Sequence, residues 1–378
     1  MIIVAYLYNT NGMASWCWEA AHALAESGQE VVLICAPDAA IPDTTLVKIV
    51  RFALPESTLN GNKISREFGR LSDKSSGFVF ALHSHLQTLG IVASTYLLNQ
   101  SDLLDGREEV PQHVVAWAYP TTLLGYLGKI GKLSGWKFSF NTLRILFDAV
   151  GWWRKDWRSY RSATSVLAVS ERLNASLKVR GINSSVVYPG TALLRESSPR
   201  TAQAPYKLLT VAVDLEDPRK RVLWLVEALR QMPDWSQFSL TLIGNTSSAF
   251  RERVCRDGFP ATFTGPLARQ EVQEKMADFD LFLFGSELDD WGYVLVEAMS
   301  RGLCLVAPDR SPFDEIVGDT GVLYNVNSQA DLTQKLSALL AEPIGSYQQA
   351  ATERAETLFS RAAFARSLLA ATNIKKGL

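Results

Sequence analysis

The chain has 378 residues, 47% of them hydrophobic, enough to bury two cores of ordinary size and too apolar for a disordered protein. Its 38 basic and 39 acidic side chains give a formal net charge of -1, which excludes a general attraction to nucleic acid or to an acidic membrane; any such attraction has to be local. Cys17, Cys35, Cys255 and Cys304 show no CxxC spacing and point to a reducing cytoplasm without a structural metal.

The first run, Ile2–Tyr8, is apolar, lacks a basic flank and turns polar at Asn9, so it reads as a core strand and not as a signal peptide. Asn9-Thr10-Asn11-Gly12 then opens a helix expected to reach about Ser27. Gly12 would let backbone approach a ligand closely, although a plain turn accounts for a single glycine equally well. Further apolar runs follow at Val31–Ala36, Phe78–His83, Val114–Tyr119, Val166–Ser170 and Val186–Pro189, separated by stretches of helical length. No apolar run approaches the roughly 18 residues needed to span a bilayer.

His83-Ser84-His85 ends the third apolar run, at the edge where active sites of open α/β sheets form. The two imidazoles share a strand face, but no Cys or acidic cluster completes a metal site. Either they are core histidines bonded to backbone, or one donates a hydrogen bond to a sugar or phosphate. Residues 123–161 are basic and aromatic, with Lys129, Lys132, Lys137, Arg144, Arg154, Lys155, Arg158 and Arg161 interleaved with Trp136, Trp152, Trp153 and Trp157. Such a segment suits a membrane interface or a long acceptor, and it equally suits a solvated helical cover with Trp in the core.

The stretch between Pro189 and Pro205 is polar, aperiodic and Pro-containing, and reads as a linker. Beyond it lie Leu208–Val213, Leu240–Gly244, Ala261–Gly265, Leu281–Phe284, Leu303–Ala307 and Gly321–Tyr324. Continuous apolar strands alternating with helices predict parallel sheets covered on both faces, and their number suits two doubly wound domains better than one. Ligands of such sheets bind beyond the carboxyl ends of the strands, which predicts a site in a cleft between the domains. The Ala-rich helical stretch from Tyr347 to Leu369 is expected to pack back across both domains.

Asp214 to Arg221 follows the first strand of this second series and ends in Arg219, Lys220 and Arg221 at a helix start. Three cations there oppose the helix dipole unless an anion binds or solvent and Asp217 absorb them. Residues 286–302, SELDDWGYVLVEAMSRG, are the most informative of the chain. Val294, Leu295, Ala298 and Met299 form an apolar stripe that Glu297 interrupts, so Glu297 is either solvated or buried with strong partners. The helix start near Gly292 and Tyr293 presents backbone N–H groups suited to phosphate. GxGxxG, P-loop, GxSxG and HExxH patterns are absent, which removes support for hydride transfer, NTP hydrolysis and the corresponding hydrolases.

Together these residues resemble the GT-B fold glycosyltransferases of family 4, the retaining nucleotide-sugar transferases, over nearly the whole chain. The carrying motif is a pair of acids seven residues apart with an aromatic-glycine pair between them: Asp289, Trp291-Gly292 and Glu297. The resemblance implies an α/β architecture of two Rossmann-like domains facing across a cleft. Residues 1–190 would form the acceptor side, with 347–378 packed back on them, and 191–346 the nucleotide-sugar side. It implies that Glu297 holds the ribose hydroxyls, that Asp289 and the backbone of Trp291, Gly292, Tyr293 and Val294 grip the sugar and diphosphate, and that Arg219 and Lys220 neutralise the leaving group. Gly12 would lie near the donor phosphates, Leu267 near the base, with Gly244 and Asp314-Glu315 at loop landmarks. Three departures stand out: Asp289 replaces the usual Glu, Arg221 the usual glycine, and Ala118-Tyr119-Pro120 stands where many members have histidine. His85 is then the candidate that partly substitutes in catalysis, and His83 and Tyr119 fall on the acceptor side.

The activity implied is metal-independent transfer of a hexose from a UDP-sugar, with no cofactor, to a saccharide or lipid-linked acceptor. It would run in the cytoplasm, with peripheral contact to the inner membrane surface through 123–161. A sugar-nucleotide 2-epimerase of the same fold, or a non-catalytic nucleotide-sugar binder, are the alternatives.

Overall fold

Helices that follow the strands return the chain to the same end of the sheet, as between the first strand and the second, so neighbouring strands run parallel. The computed structural model describes residues 2–5, 12–35, 44–51, 113–116, 166–179, 181–193, 204–287, 289 and 291–372. The chain divides into two units.

The first unit comprises Met1–Leu167, Ala175–Ser185 and Leu368–Leu378. Among the described residues it contains β1 (Ile2–Ala5), α1 (Gly12–Glu26), β2 (Val31–Cys35), β3 (Lys48–Arg51) and β4 (His113–Ala116). These strands form a parallel sheet in the order β3-β2-β1-β4, with Ile2 opposite both Val31 and His113. Helix α1 buries Trp16, Cys17, Ala20, Ala21, Ala23 and Leu24, a stripe at helical spacing. Strand β3 has only Ile49 and Val50 between two cations, too short an apolar run to announce itself. The expected strand Phe78–His83 lies outside the described residues.

The runs expected to close the first sheet instead form a separate pair, β5 (Leu167–Ala168) and β6 (Ser185–Val186), with α2 (Glu171–Val179) between them. The chain changes unit within both strands.

The second unit comprises Ala168–Asn174 and Val186–Ser367. Its elements are β7 (Tyr206–Asp214), α3 (Val222–Leu229), β8 (Phe238–Asn245), α4 (Ser248–Cys255), β9 (Ala261–Gly265) and α5 (Arg269–Met276). They continue with β10 (Leu281–Leu283), α6 (Tyr293–Ser300), β11 (Cys304–Pro308), α7 (Phe313–Val317), β12 (Gly321–Tyr324), α8 (Gln329–Leu340) and α9 (Gly345–Phe359). A last helix, α10 (Arg361–Thr372), begins in this unit. The sheet order is β12-β11-β10-β7-β8-β9. Alternate strand residues feed two cores. Leu208, Leu242, Leu283 and Val306 face α3 and α8, whereas Leu209, Ile243, Phe282 and Leu305 face α5, α6 and α9. Burial on both faces explains why these strands are unbroken apolar runs.

The second unit also keeps most of the carboxy-terminal stretch that was expected on the first domain. Helix α9 lies against α6 and β11, burying Ala351, Ala355 and Phe359 in the core of the second unit. Only Leu368–Leu378 groups with the first unit.

Candidate functional site

Because β7 continues to β8 on one side while β10 pairs with it on the other, the sheet of the second unit reverses its winding between β7 and β10. Loops leaving those two carboxyl ends diverge and leave room for a ligand. After β7, Asp217 caps a 3-10 turn, Pro218–Lys220, by accepting from the Arg219 amide at 2.9 Å. After β10, the Glu287 amide donates to the Arg219 carbonyl at 2.8 Å, which ties the two loops together. Gly285 permits this approach: a Cβ there would lie 2.7 Å from Leu225 Cδ1 and 2.9 Å from the Lys220 carbonyl oxygen.

The three consecutive cations have separate partners. Lys220 Nζ donates to Asp289 Oδ2 at 2.7 Å, and both side chains are about two-thirds covered. Arg219 closes on Asp217, with its terminal nitrogen 2.6 Å from Oδ2, and is 66% exposed. That hydrogen bond, with the guanidinium charge, holds the Asp217 carboxyl below the usual carboxylate range. The two residues grouped in the sequence as one cationic pair are thus directed differently, because Asp217 is a nearer acceptor for Arg219. Arg221 takes left-handed backbone angles, φ 53° and ψ 30°, between the 3-10 turn and α3. Its guanidinium donates to the Val326 carbonyl at 2.6 Å and lies 4.1 Å over the Trp224 ring. The glycine usual at this position is explained by that φ, and in this chain an anchored arginine occupies it.

Beside this pair begins α6, capped by Gly292 at φ 102° without a side-chain hydrogen bond. Trp291 is buried between Tyr188, 5.4 Å away and stacked, and the edge of Phe359. Its side chain serves the core. Tyr293 and Val294 are half-buried at the helix start. The helix ends at Gly302, φ 73°, with the Leu303 amide bonded back to the Ala298 carbonyl, a Schellman-type stop.

Glu297 is 6% exposed, which removes the solvated reading. Its Oε1 accepts from the Arg269 guanidinium at 2.7 Å and from Gln273 Nε2 at 2.9 Å. Arg269 and Gln273 are one turn apart on α5 and face α6 together. A second carboxylate, Glu315 on α7, gathers the amides of Glu171 and Arg172 at 2.6 and 3.4 Å, Ser311 Oγ at 2.6 Å and the Tyr188 hydroxyl at 3.2 Å. It caps α2 from 144 residues away. Burial, followed by the charge of Glu315 and its hydrogen bond, pushes the Tyr188 hydroxyl up to about 12.

Other predicted positions serve the frame. Gly244 ends β8, where a Cβ would fall 1.9 Å from the Ala212 carbonyl oxygen. Leu267 is half-buried after β9, against the core that contains Trp291. Gly12 is the first residue of α1. His83, His85, Tyr119 and the segment 123–161 lie outside the described residues.

In shape the chain is similar to sucrose-phosphate synthase from Thermosynechococcus elongatus, with a TM-score of 0.61, 17% identity and coverage of 97% of this chain and 96% of that one. It is similar also to the Anabaena protein HepE, solved with UDP and glucose, with a TM-score of 0.59, 16% identity and 98% of each chain covered. In sequence, 108 residues are 40% identical to a sulfoquinovosyl transferase of Arabidopsis thaliana, over 26% of this chain and 21% of that protein. The match therefore spans about a fifth of that relative's length. Residues 205–342 match the family described as glycosyl transferases group 1. The fold is therefore GT-B, and residues 205–342 are similar to glycosyl transferases group 1.

The matched stretch holds Lys220, Asp289 and Glu297 as well as Arg269 and Gln273, which sequence reasoning passed over. The signal for these two was their spacing, a guanidinium and an amide four residues apart on the helix after Gly265-Pro266-Leu267. Nothing local indicated that Glu297, on another helix, was their partner. Among the described residues no helix is long and apolar enough to cross a membrane.

Proposed function

We propose that the protein is a retaining, metal-independent glycosyltransferase. It takes a hexose from a UDP-sugar such as UDP-glucose to a glycan or lipid-linked acceptor in polysaccharide or glycoconjugate synthesis. The reaction runs in the cytoplasm, with peripheral membrane contact through 123–161. The observation that carries the reading is the meeting of Lys220 and Asp289 at 2.7 Å, at the winding reversal of the sheet and beside the start of α6. A partly exposed ion pair is worth about 0–1 kcal/mol, so a diphosphate can draw Lys220 away from Asp289 at little cost.

In this reading Lys220 and the amides at the start of α6 stabilise the negative charge that grows on the departing diphosphate. Arg219, held by Asp217 at the rim, contributes at longer range. Asp289 accepts from hydroxyls of the donor sugar and Glu297 from the ribose. The acceptor hydroxyl attacks the anomeric carbon from the side of the leaving group as the carbon–phosphate-oxygen bond breaks. Its proton passes to a diphosphate oxygen, which preserves the anomeric configuration without a protein nucleophile. His85 assists catalysis, while His83 and Tyr119 meet the acceptor. Uridine is preferred over guanosine on the family resemblance, a choice in keeping with the UDP and glucose bound by HepE.

A thermal-shift screen of UDP, GDP and ADP tests the donor site, and at least one of them is expected to raise the melting temperature. Glu297→Gln is expected to weaken that ligand by roughly 1–3 kcal/mol as a charged hydrogen bond is lost. If no nucleoside diphosphate binds the folded protein, the proposal fails.

A further inference from the structure

Glu297 is nearly fully buried, and its guanidinium partner comes from a helix that no motif had marked. We infer that Arg269 is a positioning residue for the nucleoside diphosphate, fixing Glu297 so that its carboxylate meets the ribose hydroxyls; this rests on the donor reading above. Three observations converge on Arg269. Its Nε lies 2.7 Å from Glu297 Oε1, and a terminal nitrogen lies 3.2 Å from Thr191 Oγ1. Its guanidinium carbon stands 5.8 Å from the centre of the Tyr293 ring.

Thr191 is itself immobilised, fully buried and bonded through its amide to the Phe359 carbonyl at 2.9 Å. A planar guanidinium can hold Glu297 through Nε and a terminal nitrogen while that same terminal nitrogen reaches Thr191, which a single ammonium point cannot reproduce. Arg269 is 38% exposed at its own side chain while Glu297 is 7%, so the cation reaches from the surface to a carboxylate that water barely touches. Without it the buried acid would lose the cation that balances its charge, and burying a carboxylate without a charged partner is strongly unfavourable.

The arrangement also sets direction. Arg269 and Gln273 both converge on Oε1, which restrains the carboxylate from one side. Glu297 stands four residues after Tyr293, about 6 Å further along α6. That is close to the span from a diphosphate seated at the helix start to the hydroxyls of the attached ribose. Arg269 lies along the same side, over Tyr293 and against Glu297.

The test is calorimetric titration of the full chain with UDP, GDP and ADP and with their 2′-deoxy counterparts, for the natural protein, Arg269→Gln and Arg269→Lys. The natural protein is expected to favour the ribonucleotide it binds about tenfold over its deoxy form. Arg269→Gln is expected to bind that ribonucleotide about tenfold more weakly and to lose the preference. Arg269→Lys is expected to restore the preference in part. A purely structural role would weaken both forms equally, so an unchanged ribo-to-deoxy ratio in Arg269→Gln overturns the inference, whatever happens to overall affinity. If Arg269→Gln does not fold, the ratio in Arg269→Lys decides: an unchanged ratio there overturns the inference. A natural protein that binds diphosphates without ribose preference overturns it and leaves the donor site standing. A natural protein that binds none of them overturns both.

Discussion

Lys220 and Asp289 stand 69 residues apart in the chain, yet Nζ and Oδ2 meet at 2.7 Å. Their side chains keep 27% and 33% exposure, so the pair contributes little to stability, and in the proposed reaction its cation meets the charge that grows on the diphosphate. Lys220→Ala is therefore expected to lower kcat by roughly 10²–10³, with the melting temperature nearly unchanged. Steady-state kinetics and a melting curve on the same preparation check this, and an unaltered kcat would remove Lys220 from the chemistry.

Gly244 is a position where any side chain collides with backbone. A Cβ would sit 1.9 Å from the Ala212 carbonyl oxygen, at the register shift between the Val211–Ile243 and Asp214–Asn245 pairs that flank it. Gly244→Ala is expected to cost roughly 2–4 kcal/mol, seen as a clear drop in calorimetric melting temperature. A variant that melts like the natural protein would show that the approach relaxes cheaply.

At Arg221 two effects oppose each other. Left-handed backbone angles at a non-glycine residue cost about 1 kcal/mol, offset by the hydrogen bond to Val326 and the stacking on Trp224. Arg221→Gly removes both the strain and the contacts, whereas Arg221→Ala removes only the contacts. The glycine variant should accordingly be the more stable of the two by about 1 kcal/mol, measured by denaturant unfolding. The reverse order would mean that the backbone angle carries no strain.

The Tyr188 hydroxyl, raised to about 12 by burial and then by Glu315, predicts an alkaline effect. A raised folded value means that the neutral phenol is favoured in the folded state. Its contribution is complete below the unfolded value near 10 and is lost as pH rises through about 12. Melting temperatures from pH 9 to 12 should fall less steeply for Tyr188→Phe than for the natural protein. Parallel slopes would mean that Tyr188 ionises alike in both states.

Much of the second unit was readable along the chain, because strands buried on both faces must be continuous apolar runs and helices between them must show one apolar stripe. Ala261–Gly265 and Gly321–Tyr324 have the bounds the residues suggested, and Gly302 ends α6. Short or mixed segments escaped that logic. Strand β3 has two apolar residues, and β5 and β6 pair with each other and not with the first sheet. Helix α9 follows its buried Ala351, Ala355 and Phe359 into the second core, a choice of partner that its own periodicity leaves open.

The sequence alone determined that Glu297, set in an apolar stripe, needed partners or solvent, and that Gly292 opened a helix with bare amides. Only the tertiary structure decided that the partners are Arg269 and Gln273, that Lys220 meets Asp289 while Arg219 turns to Asp217, and that Glu315 caps α2 from across the unit. The physical reason is range. Periodicity, capping and backbone freedom act within a few residues and are written in the local order of the chain. Charge pairs and hydrogen bonds between elements depend on which surfaces the packed sheet brings within 3 Å, and many polar residues along the chain could serve equally well until it does.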